Sequence, residues 1–252
     1  MTGRLFGLIG YPLSHSFSRK YFTAKFEREG LTGCRYELFP IEDIGQFPEL
    51  LTQYPELEGI NVTIPYKQQV IRYLDMLSPE AAAVGAVNVI RRTEGQLVGY
   101  NSDVYGFRES LLAHLRPSHR QALVLGTGGA SRAVTYVLRQ LNIGYQLVSR
   151  KRRADALAYA DVNVELMQQA TLLINTTPVG MTPHTDACPP IPYDALGRGH
   201  LLVDLIYNPE KTLFLQLGEA QGAVGVNGLE MLHLQAEKAW EIWNEERFSA
   251  LR

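Results

Sequence analysis

Short apolar runs alternate with segments of helical period along the whole chain, a pattern that predicts α/β architecture with largely parallel sheets. In the first hundred residues, 5–9, 36–39 and 59–64 read as strands, while 18–29, 43–54 and 67–77 read as helices. The third strand stops at Pro65; within it Asn61 and Thr63 lie two apart and share one face, leaving Val62 and Ile64 for the other. A hairpin follows, 86–91 and 96–100, turning on Thr93-Glu-Gly95. A helix is expected over 103–115, and Arg116-Pro-Ser-His-Arg120 links it to a second domain. There the pattern restarts: strand 122–125, a glycine-rich turn, helix 131–141, strand 145–149, and later strands at 171–175 and 201–206. A long amphipathic stretch, 229–248, is expected to pack back on the first domain.

The 252 residues suffice for two domains with separate cores, and 46% hydrophobic with 20% charged residues is ordinary for a globular protein. A formal net charge of −2 gives no electrostatic reason to expect a nucleic-acid partner. No apolar run approaches the roughly 20 residues of a membrane span, so no membrane partner is expected. The opening Met1-Thr-Gly-Arg-Leu-Phe-Gly-Leu-Ile-Gly10 reads as a first strand rather than a signal peptide. Cys34 and Cys188 stand far apart and read as reduced thiols, in keeping with a cytoplasmic protein. The histidines show no metal-ligand spacing, and no metal site is expected.

Two runs carry chemistry. Asn61-Val-Thr-Ile-Pro-Tyr-Lys67 sets a lysine just past a strand end, and Gly99-Tyr-Asn-Ser-Asp103 delivers an amide, a hydroxyl and a carboxylate together. Lysine plus aspartate among neutral hydrogen-bonding groups is what moving a proton on a polyhydroxylated substrate requires. Lys67 is taken as the proton donor and Asp103 as its orienter; the reverse assignment stays open. The third feature is Val124-Leu-Gly-Thr-Gly-Gly-Ala-Ser-Arg132, a glycine turn between strand and helix. Such a turn aims unpaired N–H groups at a phosphate, and Gly126, Gly128 and Gly129 let the backbone approach it. Ser131 stands where a third glycine is usual. At the end of the next strand Ser149 runs into Arg150-Lys-Arg-Arg153, with no acid until Asp155. Those cations read as a helix start, where they oppose the macrodipole, so a 2′-phosphate is their expected reason for being there. NADP is the expected cofactor, with Ser149, Arg150 and Lys151 nearest its phosphate.

The fold expected is therefore α/β in two domains: an N-terminal substrate domain with a mixed, mostly parallel sheet over 1–102 and a Rossmann-type dinucleotide-binding domain over 103–226. A C-terminal helix, 227–252, returns to the first. Two lobes around one cleft imply hinge closure on binding.

Taken in order, Gly10-Tyr-Pro-Leu-Ser14-His-Ser16, Asn61-Val-Thr-Ile-Pro-Tyr-Lys67, Gly85-Ala-Val-Asn88, Asn101-Ser-Asp103, Gly126-Thr-Gly-Gly-Ala-Ser131, Asn175-Thr-Thr-Pro178 and Gly228-Leu-Glu-Met-Leu-His-Leu-Gln235 resemble the shikimate dehydrogenase family over nearly the whole chain. The resemblance implies NADP-linked, reversible reduction of 3-dehydroshikimate to shikimate in aromatic amino-acid (chorismate) biosynthesis, by a monomer or homodimer. It also implies that Ser14 and Ser16 hold the substrate carboxylate, that Asn61, Thr63, Asn88, Asp103 and Gln235 hold ring hydroxyls, and that Lys67 is the catalytic acid/base with Asp103 as its partner. Tyr207 would reach the substrate from the cofactor domain. Gly126, Thr127, Gly128, Gly129 and Ala130 would cradle the dinucleotide, Leu205 and Gly228 line its nicotinamide side, and Asn175 to Pro178, Thr176 among them, its adenosine-ribose side.

The chain departs from the family pattern in places. Ser18-Arg19-Lys20 stands where proline is usual, Ser102 replaces a threonine, Val89 follows Asn88, and Ser149-Arg150-Lys151 replaces Asn-Arg-Thr. Serines at both 14 and 16 lean toward shikimate over quinate. Two rivals remain open: a quinate/shikimate dehydrogenase using NAD or both cofactors, and a non-catalytic NADP-binding sensor.

Overall fold

The computed structural model describes residues 3–13 and 17–249, with side chains through 245. In chain order the elements begin β1 (Arg4–Gly10), α1 (Phe17–Arg28), β2 (Cys34–Pro40), α2 (Phe47–Gln53), β3 (Leu57–Val62) and β4 (Met76–Leu77). They continue with α3 (Pro79–Val84), β5 (Val89–Thr93), β6 (Gln96–Tyr100), α4 (Ser102–Leu112), β7 (Gln121–Leu125), α5 (Gly129–Gln140) and β8 (Gly144–Ser149). The last are β9 (Ala156–Ala158), α6 (Val164–Gln169), β10 (Leu172–Asn175), β11 (Leu201–Asp204), α7 (Leu213–Ala220), β12 (Val224–Val226) and α8 (Leu229–Ser249). The chain divides into two compact units, one of residues up to Ser102 with those from Ala236 onward, the other Asp103–Gln235; the division falls inside α8.

In the first unit the strand order is β2-β1-β3-β5-β6-β4. β1 runs parallel to β2 and β3, and β5 runs antiparallel to both β3 and β6, which makes the sheet mixed. Alternation along β1 sends Leu5 and Ile9 into one core, with Phe47, Leu57 and Ile60, and Phe6 and Leu8 into another. That second core is aromatic. Phe6 stacks on Trp243 at 5.0 Å and meets Trp240 edge-on at 5.3 Å, so α8 buries its apolar face on this sheet. The Trp243 indole N–H donates to Ile90 O at 3.0 Å. The hairpin turns on Glu94 and Gly95, both at positive φ, as a tight two-residue connection demands.

The helix expected over 67–77 is instead a short 3-10 turn, Gln69–Tyr73, followed by β4. The sheet edge captures this segment: Asp75 N donates to Leu97 O at 2.9 Å and its carboxylate accepts from Leu97 N at 2.7 Å. α3, which periodicity does not reveal, is written in Ser78-Pro79. The Ser78 hydroxyl accepts from Ala81 N at 3.1 Å as N-cap, Pro79 sits at the first turn, and Gly85 ends the helix in the left-handed region.

The second unit holds a six-stranded, wholly parallel sheet in the order β12-β11-β10-β7-β8-β9. β7 and β10 form its centre and are apolar almost throughout, as strands covered on both faces must be.

Candidate active site

In the first unit, β3 and the segment after α3 bring Asn61 and Asn88 together. Asn61, at 6% exposure, donates from Nδ2 to Asn88 O at 3.3 Å and accepts on Oδ1 from the Tyr36 hydroxyl at 2.7 Å. Asn88 is equally enclosed: its Oδ1 accepts from Ser102 N at 2.7 Å and its Nδ2 donates to Ser102 Oγ at 3.0 Å. Asn101 ties the same place together, donating to Ala86 O at 2.9 Å. Lys67 follows on the turn beyond β3, half-buried, with its carbonyl accepting from Val87 N at 2.7 Å. Thr63 N donates to Ile9 O at 3.0 Å, which holds Thr63 at the ends of β1 and β3. The face assignment of the sequence reading is corrected here. β3 ends at Val62, both of its faces are buried, and Ile64 is 75% exposed, because the chain leaves the sheet before Pro65 can join it. Ser14 and Ser16 lie outside the described residues.

The second unit carries Asp103, Tyr207 and Gln235. Asp103 is buried in the first turn of α4, where a carboxylate complements the helix dipole. α4 and α8 approach so closely that a methyl group at Gly106 would stand 2.7 Å from Met231 O and 3.0 Å from Gln235 Cβ. The turn after Asp103 therefore packs on the turn bearing Gln235. Gln235 itself donates to Leu232 O at 2.9 Å. Burial pushes the Tyr207 phenol up. Leu205 and Gly228 also meet: Gly228 N donates to Ile206 O at 3.0 Å, and a Cβ at 228 would collide with Leu205 O, which only glycine avoids.

The glycine turn lies between β7 and α5. Gly126 takes φ +113°, and a side chain there would strike Thr176 Oγ1 at 2.6 Å, so the turn packs directly on the strand end carrying Thr176. Thr176 Oγ1 donates to Leu125 O at 2.8 Å. Gly128 is the N-cap of α5, no side chain caps the helix head, and methyl groups at Gly128 or Gly129 would meet nothing within 4 Å. Ser131, in the place of the third glycine, is buried and donates to Gly128 O at 2.7 Å. Thr127 and Ala130 flank this open head, half-buried.

No helix follows β8. The basic run lies on a tight turn into β9 instead of the helix start expected, so its cations oppose no helix dipole. The turn sorts its cations all the same. Arg152 makes a two-pronged pair with Asp161 at 2.7 and 3.1 Å and holds that carboxyl below its ordinary range, while Arg153 reaches Asp155 at 3.5 Å. Arg150 and Lys151 are exposed and have no acidic partner among the described residues, and the Ser149 hydroxyl donates to Lys151 O. An open helix head with unclaimed N–H groups, and two uncommitted cations at the neighbouring strand end, fit a phosphorylated dinucleotide such as NADP.

The sequence reading missed Asp204. It closes β11 with no exposed surface and accepts from Asn175 Nδ2 at 3.0 Å, Ile206 N at 3.0 Å and Thr212 Oγ1 at 2.6 Å. Burial pushes its carboxyl up to about 6, and the three donors hold it back from rising further. The signal was an acid ending the apolar run Leu201-Leu-Val203. Asn175 is likewise sealed, with no exposed surface, and anchors this network instead of lining a cleft. No cluster of three or more potential metal ligands occurs among the described residues.

A mixed α/β unit bearing a lysine and two enclosed asparagines, in one chain with a parallel dinucleotide-type sheet, defines a two-domain α/β dehydrogenase. The family model described as the shikimate dehydrogenase substrate binding domain matches residues 8–90. A shikimate dehydrogenase (NADP(+)) of Clostridium beijerinckii is 41% identical over 251 residues, covering 95% of this chain and 92% of the relative. One from Thermus thermophilus is 37% identical over 246 residues, covering 94% and 91%. A crystal structure of shikimate 5-dehydrogenase from Thermus thermophilus in complex with NADP(H) and shikimate aligns with a TM-score of 0.85 at 33% identity, over 96% of this chain and 94% of that one. The chain belongs to the shikimate dehydrogenase family.

Proposed function

We propose that this protein is an NADP-dependent oxidoreductase that reversibly reduces 3-dehydroshikimate to shikimate, a step toward chorismate and the aromatic amino acids. The observation that carries the reading is the likeness to NADP-linked shikimate dehydrogenases across 95% of the chain. The open head of α5 beside Arg150 and Lys151 supports it. NADPH, when bound, supplies the hydride. Gly126 to Ala130 hold its phosphates, Ser149, Arg150 and Lys151 its 2′-phosphate, and Thr176, Leu205 and Gly228 its flanks. Asn61, Thr63, Asn88, Asp103, Tyr207 and Gln235 orient the substrate through its hydroxyls, with Ser14 and Ser16 on the carboxylate. Lys67 stabilises the negative charge that develops on the carbonyl oxygen and donates the proton, and Asp103 orients the ammonium. Neutral side chains suit this substrate because a site built to bond hydroxyls rejects analogues that leave its polar groups unpaired.

The same reading has the protein working in the cytoplasm as a monomer or homodimer without a nucleic-acid partner. No helix among the described residues is long and apolar enough to cross a membrane.

The test is NADPH oxidation with 3-dehydroshikimate, repeated with NADH and with 3-dehydroquinate. Turnover confined to NADPH and 3-dehydroshikimate is expected. Comparable rates with the other pairs would indicate a broader quinate/shikimate enzyme, and NADPH binding without any turnover would indicate a sensor.

A further inference from the structure

Tyr36 lies on β2 with 3% exposure, one strand removed from β3, and its ring stacks on Phe22 of α1 at 4.8 Å and 14°. Its hydroxyl donates to Asn61 Oδ1 at 2.7 Å, a buried bond between side chains 25 residues apart. The second Asn61 bond removes any ambiguity about the amide. Asn88 O can only accept, so the Asn61 atom 3.3 Å from it must be Nδ2, and the atom facing Tyr36 must be the carbonyl oxygen. Of the two N–H groups and two lone pairs of the Asn61 amide, one of each is thereby consumed within the protein. Among the described residues nothing takes the other N–H and lone pair. Burial pushes the phenol far above its ordinary range, so the hydroxyl stays a donor at every working pH.

We infer that Tyr36 is a positioning residue for substrate: by holding the carbonyl of Asn61, it fixes which edge of that amide meets a ring hydroxyl. The inference rests on the role proposed above for Asn61. A phenol without its hydroxyl would leave the amide anchored by one bond, free to turn about χ2 and to spend its remaining N–H elsewhere. The hydrophobic support for the ring, Phe22 and Trp243, is untouched by that change.

The experiment is a double-mutant cycle with Tyr36→Phe and Asn61→Ala, reading KM for shikimate, KM for NADP+, kcat and melting temperature. Tyr36→Phe alone is expected to raise KM for shikimate by about 2- to 10-fold, the weight of one neutral hydrogen bond, with KM for NADP+ unchanged. In the Asn61→Ala background the same substitution is expected to leave KM for shikimate where it was. An unchanged KM in the single variant would overturn the inference. So would an equal rise in both backgrounds, since that loss would not pass through Asn61. A lowered melting temperature with no change in KM would likewise reduce Tyr36 to packing. A wild-type protein inert to shikimate and 3-dehydroshikimate would instead sink the function proposed above, and this inference with it.

Discussion

An aspartate with no exposed surface is costly to ionise, and Asp204 is so placed with three donors around it. Its folded-state value of about 6 lies above the 3.8 of the unfolded chain. A carboxyl raised in this way favours the folded state fully below the unfolded value, and that contribution is lost as pH climbs through the folded one. From pH 4 to above 6 the group should therefore cost the fold about 3 kcal/mol. Asp204→Asn keeps the acceptor for Asn175 and Ile206 N but cannot ionise. Urea denaturation of both proteins at several pH values should show the wild type losing stability relative to the variant across this window; parallel curves would mean that Asp204 does not titrate there. Lys67 is tested by a different readout. Lys67→Ala should lower kcat by about 10²- to 10⁴-fold, the usual weight of a positioned proton donor, with NADPH affinity retained. Near-normal kcat would move the proton transfer to another group.

The connection between β8 and β9 shows how an element can be misread from its sequence. Four consecutive cations after a strand invite a helix because β-α-β order is the habit of such sheets. Here Ser149 folds back on Lys151 O, Arg153 N pairs with Ala156 O at 2.9 Å, and the chain adds β9 to the sheet edge instead. That outcome depends on a partner strand that a linear reading does not see. The same reason applies at 67–77, where the edge of β6 claims a segment whose local pattern was helical. The strands at the sheet centres, β1, β3, β7, β10 and β11, were legible because burial on both faces demands uninterrupted apolar runs. Asn61, Lys67 and the glycine turn were legible for the opposite reason: polar or side-chain-free residues at the ends of such runs have no place in packing. Asp204 and Tyr36 act through tertiary partners and left little local mark. The turn also yields a prediction. With Arg152 and Arg153 committed to acids, the proposed function leaves recognition of the 2′-phosphate to Arg150 and Lys151. Arg150→Ala should raise KM for NADPH by about 10- to 100-fold, as loss of a charge-assisted pair does, and leave KM for NADH within about twofold. An equal loss for both cofactors would place Arg150 on a shared part of the dinucleotide.

At the scale of the whole molecule, the first unit is assembled from two stretches of chain, and the later one arrives only after the second unit is complete. What the late stretch brings is the aromatic half of a core. Both tryptophans of the protein, Trp240 and Trp243, lie on α8 and close on Phe6, Phe22 and Phe26, rings set in place by β1 and α1. Without them one face of the first sheet would present Phe6, Leu8 and Val89 to water. Trp243 is the more demanding of the two, since it adds an indole hydrogen bond to Ile90 O near the start of β5. Trp243→Ala removes a ring of well over a hundred Å² from that core, strips Ile90 O of its indole donor, and should cost about 3 to 5 kcal/mol. The remaining tryptophan lies in the same core, so its fluorescence reports the loss where it occurs. Denaturation followed by Trp240 emission should show a midpoint well below that of the wild type. A shift worth less than about 1 kcal/mol would mean that neighbouring rings collapse into the vacated space, and that α8 is held to the first sheet chiefly by Trp240 and Ala239.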